Sequence, residues 1–184
     1  MKAQYKIIPA VLLSGLVIMS PAKAVNTVTF QGEVASQTCD VSINGNTNSV
    51  VMLPTVKLAD LTGSAGKTAG LTPFTVSVSN CTASTTGDTA IKTKFLGHNV
   101  DSATGVLGNL ASTNAATGVG IQLTQKSDGT TPVTLNGPTA VAGLVLKQGD
   151  TSASYDFAAQ YYALSAAPAA GAVTAVAEYT LSYL

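Results

Sequence analysis

Gly171-Ala-Val-Thr-Ala-Val-Ala-Glu-Tyr-Thr-Leu-Ser-Tyr-Leu184 closes the chain, and its period decides the fold. The odd positions Val173, Ala175, Ala177, Tyr179, Leu181 and Tyr183 are apolar or aromatic. The even positions Thr174, Glu178, Thr180 and Ser182 are polar, with Val176 the exception. Side chains on a strand alternate faces, so this period of two predicts a strand with one face on a core and one toward solvent. A counterpart lies near the other end, where Val28, Phe30, Gly32 and Val34 interleave with Thr29, Gln31 and Glu33. Gly32 on the apolar face packs nothing and marks a close backbone approach or a bulge. Two such strands at opposite ends leave two readings open. They pair as edges within a complete sandwich, or the sheet is completed between molecules.

The first residues read as an address. Lys2 and Lys6 precede an apolar run from Ile7 to Met19, and Ala22-Lys23-Ala24 supplies a small-x-small cleavage site. The pattern is that of a secretory signal peptide over residues 1–24, too short and wrongly flanked to span a membrane. The expected mature chain, Val25 to Leu184, has 160 residues, one domain's worth. It carries six lysines against nine acidic residues, a net charge of −3, and no arginine. Nucleic-acid and phosphate recognition lean on guanidinium contacts, so that balance argues against nucleic acid. It also argues against anionic membrane surfaces. Cys39 and Cys81 are the only cysteines, and an even count behind a signal peptide predicts one disulfide formed in an oxidising compartment. A metal or redox pair would need more ligands or closer spacing.

Between the ends, short alternating runs are separated by Gly, Asn, Ser, Thr and Asp, as in all-β sandwiches. Phe74, Val76 and Val78 alternate before Cys81, then come Ile91–Leu96, Val119–Leu123, Val133–Leu135, Leu144–Leu146 and the alternating Tyr155, Phe157, Ala159 and Tyr161. Val56 to Leu61 holds the one hint of a helical turn. Ser64–Gly70 and Asp101–Thr117 read as polar rim loops. No catalytic, cofactor or metal residues are assigned. His98 is the sole histidine, and no second base or clustered carboxylate pair accompanies it to build a nucleophile–base arrangement or a zinc site. An outer-membrane barrel would want aromatic girdles and a continuous outward apolar band. This chain has no tryptophan and a pair of cysteines suited to a disulfide.

The order and spacing of several stretches resemble the type 1 fimbrial pilins of the bacterial chaperone–usher route. They are Phe30-Gln31-Gly32-Glu33-Val34 leading to Cys39, the Phe74 strand ending at Ser79-Asn80-Cys81, Lys94-Phe95-Leu96-Gly97, Ala116–Leu123 and Phe157–Tyr162. Gly171 stands fourteenth from the C-terminus and Tyr183 is penultimate, similar to the pattern that periplasmic chaperones recognise in this family. The resemblance implies an all-β, incomplete immunoglobulin-like sandwich of six strands that lacks its last strand. It divides the mature chain into an N-terminal donor-strand extension, residues 25–36, and a pilin domain, residues 37–184. It implies a structural subunit of a surface fimbria, exported through the periplasm, polymerising by donor-strand exchange and supporting cell adhesion. Its partners would be a periplasmic chaperone, an outer-membrane usher and neighbouring subunits, with no membrane insertion. The donated face would be Val28, Phe30, Gly32 and Val34. The groove and chaperone-recognition residues would be Gly171, Tyr179, Leu181 and Tyr183, and a bulky residue at Gly32 would impair polymerisation more than folding. The segment before Cys39 is short, as in minor adaptor subunits. A minor adaptor is therefore one alternative, and a receptor-binding adhesive module, a different class of function, is the other.

Overall fold

The computed structural model describes residues 32–35 and 38–184. The expected signal peptide (1–24) and the donor residues Val28 and Phe30 lie outside the described residues. Residues 33–184 group as one unit.

Among the described residues, ten strands and one helical turn follow in order: β1 Asp40–Ile43, α1 Leu58–Leu61, β2 Thr68–Ser79, β3 Thr89–Gly97, β4 Val100–Asp101, β5 Val106–Gly108, β6 Val119–Thr124, β7 Pro132–Val133, β8 Thr139–Leu146, β9 Ala153–Ala163 and β10 Ala177–Ser182. They form two sheets. The larger runs β1-β2-β9-β6-β5-β4 with β7 beside β6, and the smaller runs β10-β3-β8. Every named strand pairing is antiparallel. The strands outnumber the six expected mainly through β4, β5 and β7, pieces of two or three residues, of which β5 and β7 border β6 and β4 borders β5.

The two sheets are held by what alternation puts between them. Phe74, Val76 and Val78 from β2, Ile121 and Leu123 from β6, and Phe157 and Ala159 from β9 meet Ile91 and Phe95 from β3 and Val141, Leu144 and Leu146 from β8. Phe157, 1% exposed, is the hub. Its ring stacks on Phe74 at 5.8 Å and meets Phe95 and Tyr155 edge-on at 5.6 and 4.9 Å. Such aromatic pairs contribute about 0.5–1.5 kcal/mol each beyond their buried area. The predicted disulfide is present: Cys39, just before β1, is bonded to Cys81, just beyond β2, with Cα atoms 4.2 Å apart. It ties the antiparallel β1–β2 pair at one end.

Two stretches expected as rim loops contain strand. β2 begins at Thr68, because Thr68 and Ala69 pair with Tyr162 and Tyr161 of β9. The polar stretch after Asp101 includes β5, whose Val106 and Leu107 are 1% and 3% exposed. In both places a long-range partner draws a locally loop-like sequence into the sheet.

Candidate functional site

β10 is an edge strand: among the described residues it pairs with β3 and with nothing on its other side. The pairing decides what that free edge presents. His98 N–H donates to the Val176 carbonyl at 3.0 Å, and residue 176 continues the register in which Ala177 lies opposite Gly97. Opposed residues in an antiparallel ladder alternate between exchanging hydrogen bonds and turning their backbone groups away. Even-numbered residues therefore bond to β3, and Ala177, Tyr179, Leu181 and Tyr183 turn their N–H and C=O groups toward the open edge.

The same four residues point their side chains inward. Each packs against the main core yet remains half-buried, while Glu178 and Thr180 are exposed. The upstream residues Val173 and Ala175 behave alike, and Val176, the apolar exception in the pattern, is turned outward and 45% exposed. Open backbone rungs and incompletely covered apolar side chains thus coincide on one line. A further segment that packs on the same core was not revealed by alternation. Residues 50–56 follow β1 outside any helix or strand and make no backbone hydrogen bond to another described residue. Val51 and Leu53 pack on the core, whereas Val50 and Met52 are 78% and 79% exposed. All four are apolar, so the period of two was hidden in the sequence.

Two tyrosines span between β10 and the β1 region. The Tyr179 hydroxyl donates to the Thr47 carbonyl at 2.6 Å, and the Cys39 N–H donates to the Tyr183 hydroxyl at 2.9 Å. Burial raises the pKa of both phenols, so both stay neutral and able to share hydrogen bonds at ordinary pH. Glu33 reaches the end of β10 as well, accepting from Tyr183 N–H and from the Ser182 hydroxyl, each at 2.8 Å. Those two bonds, in that order, followed by the charges of Lys94 and Lys92, hold its carboxyl below the ordinary value.

The opposite edge of the small sheet is closed. β8 inserts one extra residue between Val141 and Leu144, where Thr93 and Ile91 of β3 stand only two apart. Gln125 Nε2 donates to the Ala142 carbonyl at 2.9 Å, and the Tyr155 ring lies so near Gly143 that a Cβ there would be 2.5 Å from it. Bulges and capped carbonyls are how proteins blunt edges against further pairing. β10 lacks a bulge.

Among the residues expected from sequence, Tyr179, Leu181 and Tyr183 come together along this edge. Gly171 lies apart from them, upstream of β10 and against the backbone of another loop, where a Cβ would collide with the Asn114 carbonyl oxygen and the Ala116 nitrogen. Val34 is fully exposed.

Comparison with known proteins agrees with this architecture. A family model described as fimbrial protein matches residues 28–184. The chain is 38% identical over 165 residues to the major fimbrial subunit SMF-1 of Stenotrophomonas maltophilia (strain K279a), covering 85% of this chain and 91% of that one. It is 38% identical over 159 residues to the F17 fimbrial protein of Escherichia coli, covering 85% and 86%. The crystal structure of the P pilus rod subunit PapA superposes with a TM-score of 0.57 at 20% identity, covering 79% of this chain and 99% of that one, a likeness of fold. By its sequence and its sandwich, the chain belongs to the fimbrial protein family.

Proposed function

We propose that this chain is a structural subunit of a bacterial surface fimbria and that its open edge receives a strand from another molecule. The observation that carries the reading is β10 itself, whose three odd-numbered residues Ala177, Tyr179 and Leu181 offer backbone groups without a backbone partner among the described residues and half-buried apolar side chains on the same line. Adding a strand there satisfies both at once, which is the physical content of strand addition to a sheet edge; chaperone–pilin complementation is among the standard examples of it.

In this reading a periplasmic chaperone covers the edge first, an outer-membrane usher is the place of exchange, and the N-terminal segment of a neighbouring subunit is the final occupant. Val28, Phe30, Gly32 and Val34 supply the donated face. Full burial of an apolar side chain contributes roughly 1.5–3 kcal/mol, so the three non-glycine residues give about 5–9 kcal/mol before the entropy of ordering the segment is subtracted. Covering the edge also removes an aggregation hazard. The product is a head-to-tail fibre on the cell surface.

The test is a thermal melt of the chain lacking residues 25–34, with and without a synthetic peptide of those residues. Ligand at about a thousand times its dissociation constant stabilises by roughly 4 kcal/mol, a rise of about 8–16 °C for a domain of this size. A truncated chain whose melting point ignores the peptide would refute the reading.

A further inference from the structure

The line of half-buried odd-numbered residues begins upstream of β10. β3 ends at Gly97, opposite Ala177, and the bond from His98 N–H to the Val176 carbonyl is the last from that side. Yet Val173 and Ala175 still pack on the core while Ala172, Thr174 and Val176 are exposed. Something other than β3 keeps this segment in phase. Its partners are residues 109–116, in the stretch that reads as a rim loop. Ala172 donates its N–H to the Asn114 carbonyl at 2.7 Å and accepts from Ala116 N–H at 2.9 Å, and the Thr174 carbonyl accepts from Leu110 N–H at 2.7 Å. The Thr174 N–H is met by a side chain, donating to Asn109 Oδ1 at 2.9 Å. The same oxygen accepts from Ala111 N–H at 3.0 Å, and Asn109 Nδ2 donates to the Ala172 and Ala116 carbonyls at 2.8 and 2.9 Å. These bonds fill the capacity of a carboxamide, and they fix which end is oxygen, since a backbone N–H only donates and a carbonyl only accepts. By holding the carbonyl before Val173 and the N–H after it, Asn109 does what a peptide group of a neighbouring strand would do.

We propose that Asn109 is a positioning residue that extends the open edge upstream of β10. It stands in for a strand where β3 has ended, holds Ala172 and Thr174, and so keeps Val173 and Ala175 on the same line as Ala177, Tyr179 and Leu181. Neither Val173 nor Ala175 has a backbone hydrogen bond among the described residues, as expected of residues that alternate with bonded ones along a ladder. The inference rests on the strand-addition reading above, with the N-terminal segment of a second copy of this chain as the occupant. Length argues for that occupant. Its donated face has four positions, Val28, Phe30, Gly32 and Val34, at a spacing of two, whereas β10 alone offers the three residues Ala177, Tyr179 and Leu181. With Val173 and Ala175 added, the line holds the whole face whichever way the incoming strand runs. The residue type follows from the task. An aspartate would turn a carboxylate toward two carbonyls and lose both donors, and an aliphatic side chain would leave the Thr174 N–H without its partner.

Residue-resolved amide hydrogen exchange on the mature chain, before and after self-association, tests this with the variants Asn109→Ala and Asn109→Asp. Before association, the Thr174 amide should exchange about tenfold faster in Asn109→Ala than in the unmodified chain, the effect of losing its hydrogen bond. Asn109→Asp keeps an acceptor for that amide and should stay closer to the unmodified chain. The Thr180 amide, bonded to β3, and the Phe157 amide in the core should be unchanged in both, which separates a local hold from a general loss of stability. After association of the unmodified chain, the Val173 and Ala175 amides should gain protection together with those of Ala177, Tyr179 and Leu181. In Asn109→Ala only the last three should gain it, and in Asn109→Asp the gain at Val173 should be reduced. Equal Thr174 exchange in the unmodified chain and Asn109→Ala would overturn the role of Asn109. An undiminished gain at Val173 in Asn109→Asp would overturn it too, even if Asn109→Ala fails to fold. Gains at Ala177, Tyr179 and Leu181 with none at Val173 and Ala175 in the unmodified polymer would overturn the extension while leaving strand addition standing. No gain at any of the five would overturn the strand-addition reading itself, and the extension with it.

Discussion

A side chain in an open groove divides its energy between folding and assembly, and Leu181 allows that division to be measured against Leu144. Leu144 on β8 is 1% exposed and belongs wholly to the core. Leu181 packs on the same core from β10 but is only half-buried. Truncating a fully buried leucine to alanine costs about 2–5 kcal/mol. At about 3 kcal/mol, Leu144→Ala should lower the melting temperature by roughly 6–12 °C, taking 2–4 °C per kcal/mol for a domain of this size. Its affinity for the residue 25–34 peptide should not change. Leu181→Ala should cost only about 1–2 kcal/mol in the unfilled chain, since part of the side chain already meets water there. The other 1–2 kcal/mol, approximately, appears when a strand covers the groove, as roughly 5–30-fold weaker peptide binding. Melts of the chain lacking residues 25–34 and a calorimetric titration with the peptide give both quantities. Should Leu181→Ala lose as much stability as Leu144→Ala and bind the peptide normally, the groove is closed and the edge is not a receptor.

Other perturbations probe the rest of the fold. Replacing both Cys39 and Cys81 by serine should cost about 4 kcal/mol on the chain-entropy model for a separation of 42 residues, read as a lower denaturant midpoint; an unchanged midpoint would contradict it. Gly171→Ala should destabilise by about 1–3 kcal/mol, as overpacking does, because the neighbours a methyl would meet at Asn114, Ala115 and Ala116 are backbone atoms, and a melt within about 1 °C of the parent, on the order of experimental error, would refute that crowding. Thr93→Val should stabilise by about 1 kcal/mol or more, since the Thr93 hydroxyl is fully buried without a partner among the described residues and an unsatisfied buried hydroxyl carries a desolvation penalty; a loss of stability would show that the hydroxyl is satisfied. The carboxyls of Asp88, Asp101 and Asp128, bonded chiefly by Lys147, Thr104 and Thr130, lie below their ordinary value of 3.8, and Glu33 below 4.5. A depressed carboxylate contributes stability that is complete above its unfolded value and is lost as pH falls through the folded one. Stability should therefore hold from neutral pH down to those ordinary values and decline below them, and a decline centred near about pH 6 would point to other groups.

Much of the fold was legible because strand periodicity is local. The alternation of Phe74, Val76 and Val78, of Tyr155, Phe157 and Ala159, and of the last residues of the chain each named an inward face, and the structure buries or half-buries those faces. The helical turn between Pro54 and Gly63 was legible from its breakers. Where both faces are apolar, as at Val50–Leu53, no period exists to read, and the packing of Val51 and Leu53 on the core went unseen. Where strand formation depends on a distant partner, as at Thr68–Gly70 against β9, the local composition misleads.

Composition and order alone determined the exported class, the disulfide partners, the absence of arginine and the inward line Tyr179, Leu181 and Tyr183. Which edge of the small sheet stays open was decided only in three dimensions. An edge is defined by what fails to pair with it, and that depends on the bulge at Ala142–Gly143, on Gln125 reaching Ala142, and on Glu33 meeting Tyr183 150 residues away. The place of Gly171 was likewise decided by backbone crossing it from residues 114–116. Periodicity reports the face a side chain takes, but long-range contact decides whether that face is covered.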